Sequence, residues 1–136
     1  MGFQLSPGVN VTEIDLTTIV PAVSTTNGGF AGAFQWGPAN QRILVDSESN
    51  LRDLFGDPNE DTYEYFFTAA NFLSYGNNLQ VVRVVGAAAV NAGSSAGLLI
   101  ANDEVYESTD TGTLDDAGNW IAKYPGVLGN SLKVSV

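Results

Sequence analysis

The side chains numerous enough to suggest chemistry here are carboxylates. There are fifteen Asp and Glu against five Lys and Arg, with no His and no Cys. Asp110, Asp115 and Asp116 fall within nine residues and offer the hard oxygen ligands that calcium prefers. Their stretch, Asp110-Thr-Gly-Thr-Leu-Asp115-Asp116-Ala-Gly118, departs from the EF-hand spacing, so a solvated loop is the expected reading. A calcium- or carbohydrate-binding surface module on these acidic loops is the rival from a different class. Without His there is neither a Ser-His-Asp set nor the commonest general base and metal ligand. Without Cys there is neither thiolate chemistry nor a disulfide. A Ser-Lys pair would have to draw on Lys123 or Lys133. Gly28, Gly29 and Gly32 follow no predicted strand, open no helix and precede no Gly-Lys-Ser/Thr, which argues against a phosphate loop. Glycosidic carboxylate pairs need one burial-raised pKa, and the acids here sit at helix starts and in loops. No enzyme is expected, and no cofactor or metal.

The formal net charge of −10 opposes sequence-independent nucleic-acid binding and docking on anionic lipid. No apolar run approaches the ~20 residues that span a bilayer, and the N-terminus shows no signal peptide. Gly2 with Ser6 formally fits a myristoylation pattern that is common by chance. Acidity reads as solubility, or as opposition to wrong contacts during assembly.

The elements that would position such residues begin with an extended arm, Ser6 to Pro21. Val9, Val11 and Glu13 point one way, and Asn10, Thr12 and Ile14 the other. Neither face is consistently apolar, and Pro7 and Pro21 bracket the run. Val9, Val11, Glu13, Ile14 and Leu16 are the expected strand residues. A strand without a nearby partner in its own sequence pairs with another molecule. Ser24 to Gly29 reads as a flexible connection, with Asn27, Gly28 and Gly29 as the hinge.

Phe30 to Phe34 reads as a close-packed central strand, ended by Trp36-Gly37-Pro38, and Gln41 to Val45 as a second. Ser47 caps a short helix closed by Gly56. A second helix is expected from Glu60 to Tyr75, its core stripe being Tyr63, Phe66, Phe67, Ala70 and Leu73. Leu79 to Val85 reads as a strand buried on both faces, with Arg83 snorkelling to an edge or in a structural salt bridge. Composition then turns to small residues. Leu98 to Ile100 and Glu104 to Glu107 are expected as short strands, Thr109 to Gly118 as a loop, and Ser131 to Val136 as a strand.

The expected organisation is an arm and hinge over 1–27, an α/β core over 28–85, a loop-rich variable or inserted region over 86–119, and a further core strand segment over 120–136. The fold class is α/β (α+β), a mixed sheet with two helices after an extended arm. Ending at Val136 in mid-strand reads as part of a longer chain.

Ser6-Pro7-Gly8-Val9 with Glu13, then Phe30-Ala31-Gly32 through Gln35-Trp36-Gly37-Pro38, resembles the start of tail sheath proteins of contractile-tailed phages, the T-even type above all. Leu51 to Gly56, Ala69 to Asn77 and Val81 to Val85 agree in order, and so do Tyr124-Pro125-Gly126, Gly129-Asn130 and Leu132. The resemblance covers residues 6 to 85 and 120 to 136. It implies a subunit that stacks as six-membered rings in a helical sleeve around an inner tail tube, between baseplate and tail terminator proteins. Its arms would add strands to neighbouring subunits, and contraction would drive the tube through the host envelope. The place implied is the virion tail, assembled in the host cytoplasm. A bacteriocin or secretion-system sheath is the near alternative.

Overall fold

A computed structural model describes residues 26–95 and 97–135; the arm residues Val9, Val11, Glu13, Ile14 and Leu16 lie outside them. Strands β1 (Asn27–Gly32), β2 (Arg42–Val45) and β3 (Asn78–Arg83) form one mixed sheet in the order β1-β3-β2. β1 runs parallel to β3, from Asn27↔Asn78 to Gly32↔Arg83. β2 runs antiparallel to β3, from Arg42↔Val82 to Val45↔Leu79. The central strand is therefore β3, and β1, expected in the centre, lies at an edge.

Helices α1 (Glu48–Phe55) and α2 (Tyr63–Leu73) pack on the sheet face carrying Leu79 and Val81. Ser47 caps α1 as its type predicts, Oγ accepting from the Asn50 N–H at 3.3 Å. α2 starts at Tyr63 rather than Glu60. Asn59 Oδ1 takes the Asp61 and Thr62 N–H groups at 3.1 and 2.9 Å, a side-chain turn that competes with helix. The core comprises Phe34, Val45, Leu51, Phe55, Phe66, Ala69, Leu79 and Val81. Phe34 stacks at 4.7 Å, tilted, on Phe55.

Two expectations about burial are corrected. β3 alternates, with Leu79, Val81 and Arg83 buried while Val84 beyond it is exposed. The helices described here cover one face only, so the apolar run is not buried on both. The α2 stripe is also rotated. Phe66 and Ala69 face the core with Ala70 and Leu73 beside them, while Tyr63 and Phe67, four residues apart on the flank, are exposed.

Beyond β3 the chain is more helical than expected. Glu104 to Glu107 lies in α3 (Asp103–Ser108), and the anticipated acidic loop holds α4 (Thr111–Asp116). Both start at side-chain caps. Asn102 Oδ1 accepts from the Val105 N–H at 3.0 Å, and Asp110 Oδ2 from the Gly112 N–H at 3.0 Å. Leu98 makes one isolated bridge to Asn91. Val127–Ser131 is a 3-10 turn, and the expected strand after it makes no ladder among the described residues.

Candidate functional site

Among the described residues, several of the segments that carried the resemblance are far apart in sequence and meet at Arg83. β3 delivers Arg83 to the buried face of the sheet, where it is 3% exposed. Its partners are main-chain carbonyls. Nε donates to Phe34 O at 2.9 Å and Nη1 to Gly37 O at 2.9 Å. Nη2 donates to Pro125 O at 2.8 Å and, longer, to Gln35 O at 3.4 Å. Among the described residues no carboxylate forms a salt bridge with it. The expected salt bridge is thus replaced by a ring of carbonyl dipoles. The guanidinium fork suits such a ring, and a carboxylate would leave several of these oxygens without donors. Burial lowers the Arg83 pKa from its ordinary value.

The Phe34 to Pro38 turn is shaped to present those oxygens. Trp36 N–H donates to Phe55 O at 3.0 Å, anchoring the turn on the end of α1. Gly37 has φ 100, and a Cβ there would lie 2.5 Å from Leu54 O, so only glycine fits. Trp36 in turn meets Tyr124 edge-on at 5.4 Å. The order Phe-Gln-Trp-Gly-Pro, Leu-Phe-Gly, Val-Arg-Val and Tyr-Pro-Gly is therefore one structural knot.

Two further buried polar residues, absent from the sequence-derived candidates, extend it. Asn91, 0% exposed, donates from Nδ2 to Ile100 O and Ala122 O at 3.0 and 2.9 Å and accepts the Ile100 N–H at 2.8 Å. Asn102 donates from Nδ2 to Ala39 O at 3.0 Å, and Ala39 N–H donates to Ala101 O at 2.7 Å. Asn102 before Asp103-Glu104 is a readable cap signal. Nothing in type or spacing marks Asn91.

The expected hinge residues Asn27, Gly28 and Gly29 form the first half of β1, paired with Asn78, Leu79 and Gln80. Asn78 Nδ2 also donates to Asn27 Oδ1 at 2.7 Å. Bending there would break the ladder. The acidic trio does not assemble either: Asp110 is spent as the α4 cap, and no three Asp, Glu, His or Cys side chains converge among the described residues. Lys123 interacts with Tyr124 and next with Asp103, which together raise its pKa. A Ser-Lys nucleophile needs the opposite shift. The chemistry of this site is main-chain recognition by buried side chains, which holds a shape.

The family described as tail sheath protein Gp18 domain III N-terminal region matches residues 29–84. A tail sheath protein of Vibrio phage KVP40 is 37% identical over 126 residues, covering 84% of this chain and 19% of the relative. One of Enterobacteria phage T4 is 47% identical over 81 residues, 60% of this chain and 12% of the relative. One of Salmonella phage ViI is 35% identical over 138 residues, 98% of this chain and 21% of the relative. The chain thus spans about a fifth or less of the length of these relatives. With several of the sheath-type segments gathered around Arg83 and these relatives in agreement, the chain is similar to part of the tail sheath proteins of contractile-tailed phages.

Proposed function

We propose that this chain is part of a structural, non-enzymatic subunit of a contractile tail sheath. The subunit polymerises around the inner tail tube in helically stacked six-membered rings and contracts to drive the tube through the host envelope. It meets baseplate and terminator proteins at the ends of the sleeve, is assembled in the host cytoplasm and resides in the virion tail. The observation that carries this reading is the likeness to three phage tail sheath proteins.

The fold supports the reading in two ways. β1 is an edge strand, and among the described residues no strand pairs with it on the side away from β3. An unpaired edge accepts an added strand, each main-chain bond contributing about 0.5–1.5 kcal/mol net. The arm strand Val9, Val11, Glu13, Ile14 and Leu16 of one subunit would supply such a strand to a neighbour. The pairing of Asn27, Gly28 and Gly29 in the ladder favours a pivot between arm and body before these residues over one at the glycines. Head-to-tail contacts of this kind build open helices rather than closed dimers.

The test is negative-stain electron microscopy of the product of the full reading frame, beside a version lacking residues 1 to 26. Tubes or stacked rings that disappear with the arm are expected. An intact product that stays dispersed at high concentration would overturn the assembly reading. A truncation that fails to fold would overturn the separateness of the arm.

A further inference from the structure

The chain leaves the sheet after Arg83 and returns to it at Pro125, and one guanidinium holds both points. Arg83 is the last residue of β3, and its Nη2 bonds the Pro125 carbonyl at 2.8 Å. The segment between forms an excursion whose two ends are clasped. We propose that residues 86–124 form a separately opening unit, latched to the sheet by Arg83 and Asn102, that detaches without unfolding the β1-β3-β2 layer.

The distribution of apolar burial carries the first part of this inference. Every member of the central cluster, partly buried neighbours included, lies between Phe30 and Val81. The buried apolar residues of the excursion are Ile100, Ala101, Ala117 and Ala122, three of them alanine. Small side chains remove little apolar area from water, so little hydrophobic free energy binds the excursion to the layer.

Internal bonding carries the second part. Within the excursion Asn91 N–H donates to Leu98 O at 2.8 Å, Ala122 N–H to Ala92 O at 2.7 Å and Ser94 N–H to Trp120 O at 3.0 Å. The Asn91 side chain joins the strand-like stretches at Ile100 and Ala122. The excursion is therefore tied to itself by bonds that survive its release.

The joint itself is narrow and polar. Ala39 N–H meets Ala101 O at 2.7 Å, Asn102 Nδ2 meets Ala39 O at 3.0 Å, Arg83 Nη2 meets Pro125 O at 2.8 Å, and Trp36 lies edge-on to Tyr124. Water can take over each hydrogen bond when the joint parts, whereas parting the Phe55–Phe66–Val81 cluster exposes core. Units of this kind open sub-globally below the global unfolding free energy. The family match, which ends at residue 84, stops where the excursion begins. None of these observations depends on the contractile role.

The test is native-state amide hydrogen exchange on the full chain, read residue by residue. Two classes of protection are expected. The Asn91, Ile100 and Ala122 amides should exchange at least about tenfold faster than the Val81 and Val82 ladder amides. Arg83→Lys keeps the charge but loses the fork. It should lower protection of the first class by about tenfold or more beyond whatever it takes from the second, which also falls because Arg83 holds Phe34 O and Gly37 O within the layer. Asn102→Ala removes the second latch without touching the guanidinium and should act in the same direction. It keeps the question open to measurement if Arg83→Lys does not fold. A single protection class in the wild type, or variants that lower both classes by the same factor, would overturn the proposal.

Discussion

Nη2 of Arg83 donates to the carbonyl oxygen of Pro125 at 2.8 Å, across 42 residues of sequence. The same side chain satisfies Phe34 O and Gly37 O at 2.9 Å each. Arg83→Met fills a similar volume but leaves those oxygens without their donor, at an expected loss of about 3–5 kcal/mol. Arg83→Lys should fall between the two. Urea denaturation followed by tryptophan fluorescence measures this. A methionine variant within about 0.5 kcal/mol of wild type would show that the carbonyl ring is satisfied by water instead.

Asn91 makes a distinct and pH-dependent prediction. Its amide gives two hydrogens, to Ile100 O and Ala122 O, and accepts one, from Ile100 N–H. Asn91→Ala should destabilise by about 2–4 kcal/mol, since buried main-chain groups lose their partners. Asn91→Asp should be worse at pH 7, because a buried carboxylate would face two carbonyl oxygens. Such a carboxyl titrates above its unfolded value, so its protonated form is favoured in the fold. Stability of Asn91→Asp should therefore improve relative to wild type as pH falls from about 7 to about 4 and be lost again as pH rises. A flat difference between the two proteins over that range would refute the buried-acceptor geometry.

Neighbouring phenylalanines separate core from flank. Phe66 is 1% exposed and Phe67 is 52% exposed. Phe66→Ala should cost about 3–5 kcal/mol through lost burial and a cavity. Phe67→Ala should cost well under half of that, because most of its ring already meets water. Paired thermal melts decide it. Equal losses would show that Phe67 is covered in solution.

That pair also marks what the sequence could and could not reveal. The α1 boundaries were legible because Ser47 and Gly56 are strong local signals. Helical periodicity located α2 but left its rotation open by one residue, because Tyr63, Phe66 and Phe67 are all aromatic and the packing of α1 chose among them. The caps Asn102 and Asp110 were readable in principle. The stretch after Asn102 instead reads as a short strand, and the polar, acidic stretch around Asp110 as a loop. The Arg83 knot was only half legible. An arginine in an apolar strand signals a polar partner, but carbonyls from Phe34, Gly37 and Pro125 are main-chain groups, which no residue type announces.

The adjacent glycines Gly28 and Gly29 test whether this segment bends or pairs. A Cβ on Gly28 would lie 2.5 Å from Phe72 Cζ and 2.9 Å from Leu79 Cδ1, whereas one on Gly29 would meet nothing within 4 Å. Gly28 is there for close approach of α2 to the sheet. Gly29 points to open space with ordinary backbone dihedrals. Gly28→Ala should therefore destabilise by about 1–3 kcal/mol through overpacking. Gly29→Ala should be neutral or stabilise by about 0.4–1 kcal/mol, since it restricts the unfolded chain. A hinge at Asn27 to Gly29 makes the opposite demand. Stiffening it with Gly29→Ala would leave the fold alone and impair sheath assembly or contraction. Melting temperature and electron microscopy on the same variant distinguish the two. Intact tubes with unchanged or raised stability are expected if Gly29 is a ladder residue. Normal folding with failed assembly or contraction would restore the pivot to the glycines themselves.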